Sequence, residues 1–215
     1  MTLIEPVARI PQRTVALDLY RDIHKGIRSE MFVTVTAAGC LDPADVPGAA
    51  DLTVRVEGLV RLLREHAEHE DRAIQPVLEE HLPDLAARIA DDHERIERRL
   101  DELVDLACDA CGAGPDGRRR LHRLHVELAS FTGAYLDHQD VEERVVMPAL
   151  EDAVGVEAVG GIHAAIIAAI PPDELTRSLA VMMPAMNIDD RVELLAGIRA
   201  GAPADVFDGL LGFAH

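Results

Sequence analysis

Aromatic residues are nearly missing from this sequence. Tryptophan is absent, and aromatic residues make up only 3 % of 215 positions, although 48 % of the chain is hydrophobic. The core must therefore consist mostly of leucine, valine, isoleucine and alanine, which suit helix packing better than sheet packing. The length allows one domain of ordinary size with a real core. The composition predicts an all-α protein.

Positive charge is also scarce. Lysine and arginine number 21 against 39 acidic residues, which gives a formal net charge of −18. Phosphates and anionic lipids would repel such a surface, so we expect neither nucleic acid nor membrane as a partner. The first eleven residues lack the charged and apolar segments of a signal peptide, and the longest apolar stretch, 162–170, is too short to span a bilayer. We expect a cytoplasmic protein.

Cysteine is rare as well. The chain has three cysteines, Cys40, Cys108 and Cys111. A low and odd count is not typical of a disulfide framework. Two interpretations of them stay open: small apolar side chains at helix ends, or a redox-active Cys-x-x-Cys pair near a third thiol. The sequence also lacks a glycine-rich phosphate loop and a nucleophile elbow.

Two stretches of the chain resemble each other. His66 is followed by Glu70 and Pro76, and the same residue types recur 72 positions later as His138, Glu142 and Pro148. A histidine and a glutamate four residues apart lie on one face of a helix. Both side chains can then turn toward one point, which is the arrangement that a transition metal needs.

The apolar periodicity predicts four long helices, at about residues 13–38, 49–80, 84–111 and 118–152. Pro76 should end or kink the second, and the apolar seam of the fourth should continue through Val145 and Ala149. Short connections favour an up-down-up-down four-helix bundle over residues 1–153. Residues 154–215 should form an extension of short helices, at about 156–170, 173–185, 188–200 and 203–213, that docks on the bundle or on a partner.

Six polar residues interrupt the apolar stripes of these helices. Counted from the connecting loops, the four histidines fall at about one level of the bundle. Buried glutamates beside them would be very costly without a metal. Two bridging carboxylates indicate two ions, and imidazole combined with carboxylate suits iron. The predicted metal ligands are His24, His66, Glu70, His93, His138 and Glu142.

Two further residues lie near these ligands in the helical pattern. His69 is close to the face of His66 and is a candidate extra ligand. Tyr135 lies one turn before His138, where it either packs in the core or approaches the metal. The acids after the two glutamates, Asp71 and Glu143, are interpreted as outer partners of the site or as surface residues.

The ordered set of six residues, with the proline after each His/Glu pair, resembles the hemerythrin-like (HHE cation-binding) family over about residues 13–152. The resemblance implies a non-haem di-iron site in a four-helix bundle, with Glu70 and Glu142 as carboxylate bridges alongside an oxo or hydroxo bridge. Oxygen-carrying members have a second histidine where this chain has Glu97, which makes Glu97 a further candidate ligand. They also have an aspartate five residues after the last histidine, where this chain has Glu143.

These two departures imply a more open or carboxylate-rich site than that of an oxygen carrier. The function expected from the resemblance is binding or reduction of a small oxidant (O2, NO or peroxide), or sensing of redox or iron state. Whether the protein is an enzyme stays open at this point. The alternative is a metal-containing signalling or interaction module without turnover. A structural zinc site ranks last, because six ligands are too many for one tetrahedral ion.

Overall fold

The computed structural model describes residues 11–110 and 116–201. Over these residues the chain is helical, without a β-strand, so the predicted all-α class is confirmed. The α-helices are α1 (Arg21–Cys40), α2 (Val46–Ala73), α3 (Gln75–His81), α4 (Pro83–Ala110), α5 (Gly117–Val141), α6 (Met147–Ala169), α7 (Pro172–Ala185) and α8 (Ile188–Gly201), and a π-helical turn, Glu142–Val146, joins α5 to α6.

The first helix begins later than the periodicity predicts, at Arg21 rather than near residue 13. The Asp18 carboxylate accepts hydrogen bonds from the backbone N–H groups of Tyr20 and Arg21, both at 3.0 Å, and so satisfies donors that a helix start leaves open. Upstream, the N–H of Ala16 donates to Glu151 at 2.7 Å, which holds this segment against the start of α6.

The long helices α1, α2, α4 and α5 pack in a ring, since α1 contacts α2 and α5, and α4 contacts the same two helices. Their apolar residues form two clusters. The larger cluster comprises Ile27, Met31, Ala38, Leu52, Val56, Leu59, Val60, Leu62, Leu63, Leu100, Leu103, Ala107, Ala110, Leu121, Leu124, Leu128, Phe131 and Tyr135. The smaller cluster comprises Tyr20, Ile74, Leu78, Ala86, Ile89, Val146, Met147, Leu150 and Val159.

Along each long helix and the residues just beside it, the chain passes from one cluster to the other, and the direction of passage alternates along the chain. The smaller cluster comes first at α1, which Tyr20 precedes, and at α4. The larger cluster comes first at α2 and α5, after which Ile74 and Val146 belong to the smaller cluster. All six predicted metal ligands lie at these crossings, between the last residue of one cluster and the first of the other. A polar layer therefore separates two apolar layers of the bundle.

Each of the two His/Glu motifs is followed by a break in regular α-helix. After Glu70, α2 ends at Ala73 and α3 begins at Gln75, as Pro76 predicts. After Glu142 the chain instead makes a π-helical turn, in which the N–H of Met147 donates to the carbonyl of Glu142.

The π-helical turn corrects the predicted seam of the fourth helix. Val145 and Ala149 were expected in the core, but both are only half-buried, whereas Val146 and Leu150 are fully buried. A π-helical turn contains one residue more than an α-helical turn. The buried face therefore moves forward by one residue after Glu142.

The C-terminal helices pack on the bundle. Gly155 has a φ of 81°, a left-handed conformation that favours glycine, and it separates the start of α6 from a second stretch whose Val159 joins the smaller cluster. Helix α7 lies against α1 so closely that a Cβ added at Gly26 would be 3.0 Å from Val181 Cγ1. Helices near 173–185 and 188–200 are present as predicted. The predicted helix 203–213 lies outside the described residues.

Within the described residues, one helical run is long and apolar enough to qualify as a membrane span by length and composition alone. It covers Gly117–Ala169 and contains an 18-residue window with a mean hydropathy of 1.4. Only 6 % of that window is buried.

Two of the three cysteines can be placed. Cys40 and Cys108 carry free, exposed thiols. Cys111, the second cysteine of the Cys-x-x-Cys motif, lies outside the described residues. The redox interpretation of that motif therefore stays a prediction.

Candidate metal centre

The structure brings all six predicted ligands together in the polar layer between the two clusters. His24 comes from α1, His66 and Glu70 from α2, His93 from α4, His138 from α5, and Glu142 from the start of the π-helical turn. They are buried or nearly so; His24 and Glu142 are at most 1 % exposed. Helical spacing explains this convergence, because each residue takes the place of an apolar one on the inner face of its helix.

The six side chains form two groups that could each hold an ion. The first group is His24, His66, Glu70 and Glu142, and the second group is Glu70, His93, His138 and Glu142. Within each group the ligand atoms lie within 4.8 Å of one another. Ligands on opposite sides of one ion, each about 2.1 Å from it, are about 4.2 Å apart. Both carboxylates belong to both groups, which is the arrangement of two bridging acids.

In the first group, the Nε2 atoms of His24 and His66 are 3.2 Å apart. His66 Nε2 lies 3.1 Å from Glu70 Oε1, and His24 Nε2 lies 3.4 Å from Glu142 Oε2. The two imidazoles therefore point their Nε2 atoms at the same place from adjacent helices.

In the second group, His93 Nε2 lies 3.3 Å from Glu70 Oε2, and His138 Nε2 lies 3.0 Å from Glu142 Oε1. The rings of these two histidines meet edge to face, with centroids 5.1 Å apart. The rings of the first group do the same at 5.2 Å. The two groups thus repeat one geometry on opposite pairs of helices.

The carboxylates are close to imidazoles, yet their oxygens make no hydrogen bond of ordinary geometry. All four oxygens of Glu70 and Glu142 are buried without a hydrogen-bond partner, and so is Nε2 of His93. An uncompensated buried carboxylate costs several kcal/mol. Buried polar atoms that converge without bonding to one another are what ligand atoms arranged around a cation look like. The residues therefore fit a metal centre.

The electrostatics of the two acids agree with that fit. Burial, and then the negative charge of Glu142, raise the pKa of Glu70 well above its usual range. Burial alone would also raise the pKa of Glu142, but the imidazoles of His138 and His93 outweigh it and hold that pKa well below its usual range. Two adjacent buried acids whose pKa values are shifted in opposite directions cannot both stay charged without compensation. Divalent cations between them would supply it.

The imidazoles differ in how readily they present a free nitrogen. Burial, followed by the charge of His24, lowers the pKa of His66 well below its usual range, so this ring is neutral, the form that binds metals. Burial would also lower the pKa of His93, but Asp71, Glu142 and Glu70 raise it to about 12. Metal binding must therefore displace a proton from His93.

Of the three candidates beyond the six, Glu97 and His69 are not brought into the two groups. Glu97 is exposed and accepts a hydrogen bond from Arg64 at 2.8 Å. The Nε2 atom of His69 lies 2.8 Å from Glu174 of α7. Tyr135 is buried behind His138, with ring centroids 5.7 Å apart. The Tyr135 ring contacts a predicted ligand, whereas the side chains of Glu97 and His69 contact Arg64 and Glu174 instead.

One residue beside the centre was not among the predicted candidates. Tyr20 is buried against His24, with ring centroids 5.1 Å apart. It mirrors the contact between Tyr135 and His138, so each group has one tyrosine behind a histidine. The signal was present in the sequence, because Tyr20 lies four residues before His24 and therefore on the same helix face.

Comparison with known protein families places this site in context. The sequence matches the family model described as the hemerythrin HHE cation-binding domain over residues 15–150. The chain belongs to this family. The matched range contains all six residues of the two groups. No curated protein and no solved structure gives a significant match to the chain.

Proposed function

We propose that this HHE-domain protein binds two iron ions in the first and second groups and uses them to bind or reduce a small oxidant (O2, NO or peroxide). The observation that carries the proposal is that two buried glutamates are shared by both groups while their oxygens lack hydrogen-bond partners. Iron suits this set of donors, since it takes imidazole and carboxylate together and accepts more than four ligands. One tetrahedral structural zinc would use only four of the six donors, so a single zinc ion does not account for the whole set.

When bound, the iron ions would supply electrons and open coordination positions for the oxidant. The protein's own residues would hold the ions: the four imidazoles would each serve one group, and the carboxylates of Glu70 and Glu142 would serve both. The apolar clusters above and below exclude water, and this strengthens every electrostatic contact inside.

Metal analysis and optical spectroscopy test this proposal. Protein purified after growth in iron-rich medium is expected to contain two irons per chain by elemental analysis. The aerobic protein should absorb in the near-ultraviolet and visible range, and the absorption should change when NO is added to the reduced protein. A Glu70→Ala variant should lose iron, whereas Glu97→Ala removes an acid that is exposed and should not.

Three results would contradict the proposal. They are fewer than two metal ions per chain after iron loading, full occupancy by zinc with no affinity for iron, or a reduced iron form whose spectrum does not respond to O2, NO or peroxide.

A second candidate function is sensing of redox or iron state without turnover, and specific contacts favour it. His69, which lies between two ligands on α2, contacts Glu174 of α7 at 2.8 Å. Lys25, the neighbour of His24, forms a short ion pair with Asp190 of α8. Changes at the centre could therefore reach α7 and α8 through residues adjacent to its ligands.

Two measurements separate the candidates. Turnover of peroxide by the iron-loaded protein favours the enzyme. For a sensor, hydrogen–deuterium exchange over Pro172–Ala185 should differ between oxidised and reduced iron forms, and His69→Ala should remove that difference. A His122→Ala variant serves as the control, since His122 is outside both groups.

We also propose the finer organisation expected from the sequence. The alternating order in which the long helices cross the two clusters supports an up-down-up-down bundle over residues 1–153. Residues 154–215 form an extension in this proposal, and the contact of α7 with α1 supports its docking on the bundle. A cytoplasmic location stays a proposal, and so does the lack of nucleic-acid and membrane partners, which the acidic composition supports.

A further inference from the structure

The internal repeat extends one residue beyond the shared glutamates. Glu70 is followed by Asp71, and Glu142 is followed by Glu143, again 72 positions later. The two following acids do not point into the centre. Asp71 Oδ1 lies 2.8 Å from Nδ1 of His93, and Glu143 Oε1 lies 2.9 Å from Nδ1 of His24.

These contacts join different helices. Asp71 belongs to α2 but holds a histidine of α4, and Glu143 follows α5 but holds a histidine of α1. In each repeat, therefore, the first acid faces the centre and the second reaches outward to a ligand on a helix that carries no glutamate of its own in the centre.

The contact with a carboxylate determines that Nδ1 of each ring carries a hydrogen. A carboxylate can only accept a hydrogen bond, so the proton must be on Nδ1 of His24 and of His93. In the neutral form that binds a metal, the lone pair of each ring then lies on Nε2. These Nε2 atoms are the ones that face the shared acids, at 3.4 Å for His24 to Glu142 and 3.3 Å for His93 to Glu70.

We propose that Asp71 and Glu143 are positioning residues, each serving one of the two metal positions: Glu143 the first group through His24, and Asp71 the second group through His93. The inference rests on the proposed two-ion function. It goes beyond that function by assigning a separate residue to the control of each ion.

The two contacts are not equivalent. Glu143 also accepts a hydrogen bond from Arg28 at 2.8 Å, and its side chain is 17 % exposed. The Asp71 side chain is 54 % exposed and contacts His93. A further acid, Asp92, lies 3.8 Å from Nδ1 of His138, too far for a hydrogen bond.

A purely structural role is the competing explanation, because both contacts also tie neighbouring helices together. That role predicts a lower melting temperature of the metal-free protein and equal effects on both ions. A positioning role predicts that each variant affects one ion and spares the other. The two roles therefore differ in a quantity that can be measured.

The test uses the full chain and the variants Asp71→Ala and Glu143→Ala. Ferrous iron is titrated anaerobically against a competing chelator, which gives one dissociation constant for each ion. The visible spectrum of the cobalt(II)-loaded protein then reports the coordination at each position. The melting temperature of each metal-free variant is recorded to show that it folds.

Each variant is expected to keep one ion at wild-type affinity and to bind the other about 10- to 100-fold more weakly. Asp71→Glu and Glu143→Asp, which retain a carboxylate, should recover part of the loss. Glu97→Ala is the matched control, since it removes an acid one helical turn after His93 that pairs with Arg64 instead.

Two results would overturn the inference while leaving the proposed function intact: wild-type affinity for both ions in Asp71→Ala and Glu143→Ala, or an equal loss for both ions in each variant. If the wild-type chain itself binds fewer than two ions, the proposed function fails and the inference fails with it.

Discussion

The first and second groups of the metal centre contain the same ligand types but lie in different surroundings. Each has two imidazoles and shares both carboxylates. In the first group, His24 is fully buried and its outer acid, Glu143, pairs with Arg28. In the second group, the outer acid Asp71 is mostly exposed.

This difference shows what the internal repeat does and does not determine. The repeat duplicates the His/Glu pair and the acid after it, so the inner ligands of both groups match. The outer environment comes from helices α1 and α4, which do not resemble each other at the corresponding positions. Four residues after His24 the chain has Arg28, whereas four residues after His93 it has Glu97. We expect an ion in the second group to exchange with solvent more readily.

The largest effect is expected from a change that disrupts both groups at once and so removes the difference between them. Glu142 belongs to both groups and touches a histidine of each, so Glu142→Ala should lose both ions. Elemental analysis after iron loading measures this. Glu97→Ala should keep both ions under the same conditions. Retention of one tightly bound ion in Glu142→Ala would show that the groups are independent.

The second largest effect is expected on the stability of the fold, when both ions are removed. A ligand that binds only the native state stabilises it by about 2.7 kcal/mol when its free concentration is 100 times its dissociation constant. In addition, the metal-free protein leaves two acids facing each other in an apolar bundle. Calorimetry of chelated and iron-loaded protein should show a lower melting temperature for the chelated form, and His138→Ala should lower both metal content and melting temperature. Equal melting temperatures would uncouple the centre from the fold.

The exchange rates of single ions sharpen the comparison. His93→Ala should leave an ion in the first group, and His24→Ala should leave one in the second. With a chelator in excess, the ion of His24→Ala is expected to leave several-fold faster, because its surroundings are closer to solvent. Rates in the opposite order would contradict the assignment of the first group as the more closed one.

The smallest effect concerns the arginines around the centre. Arg28 donates a hydrogen bond to Glu143 and so helps to hold it against His24. Arg28→Met should therefore weaken binding of the ion in the first group by about 1 kcal/mol or less. Arg95 also pairs with an acid near the centre, Asp92, but its side chain is 67 % exposed. Arg95→Met should therefore change metal affinity very little. Iron titrations of the two variants, read against each other, measure the difference.

Much of the centre could be predicted from the sequence, because its signal is local. His66 and Glu70, like His138 and Glu142, are four residues apart, and helical periodicity places such pairs on one face. His24 and His93 were identifiable because each interrupts an apolar stripe. The agreement of the levels of all four histidines followed from counting residues along helices of known rise.

The failures have a different origin, since they depend on contacts that no local pattern encodes. Arg64 holds Glu97 outside the centre, and Glu174 of α7 holds His69 away from it. The start of α1 was misplaced because the helix begins only after Asp18, whose carboxylate accepts hydrogen bonds from the N–H groups of Tyr20 and Arg21. The inner seam after Glu142 was wrong by one residue, because periodicity assumes 3.6 residues per turn and cannot detect a π-helical turn.

The spacing between each shared glutamate and the following proline is six residues in both repeats, from Glu70 to Pro76 and from Glu142 to Pro148. The chain absorbs this spacing in two ways, by ending α2 in the first repeat and by a wider turn in the second. One residue of an α-helix corresponds to a rotation of about 100°. Deleting one residue between Glu142 and Pro148 would therefore let the π-helical turn become a regular α-helical turn with Leu150 still on its cluster, whereas inserting a further residue would rotate all of α6 by about 100° relative to α5. The length of this short interval, more than its composition, sets the angular phase between the metal centre and the C-terminal third of the protein.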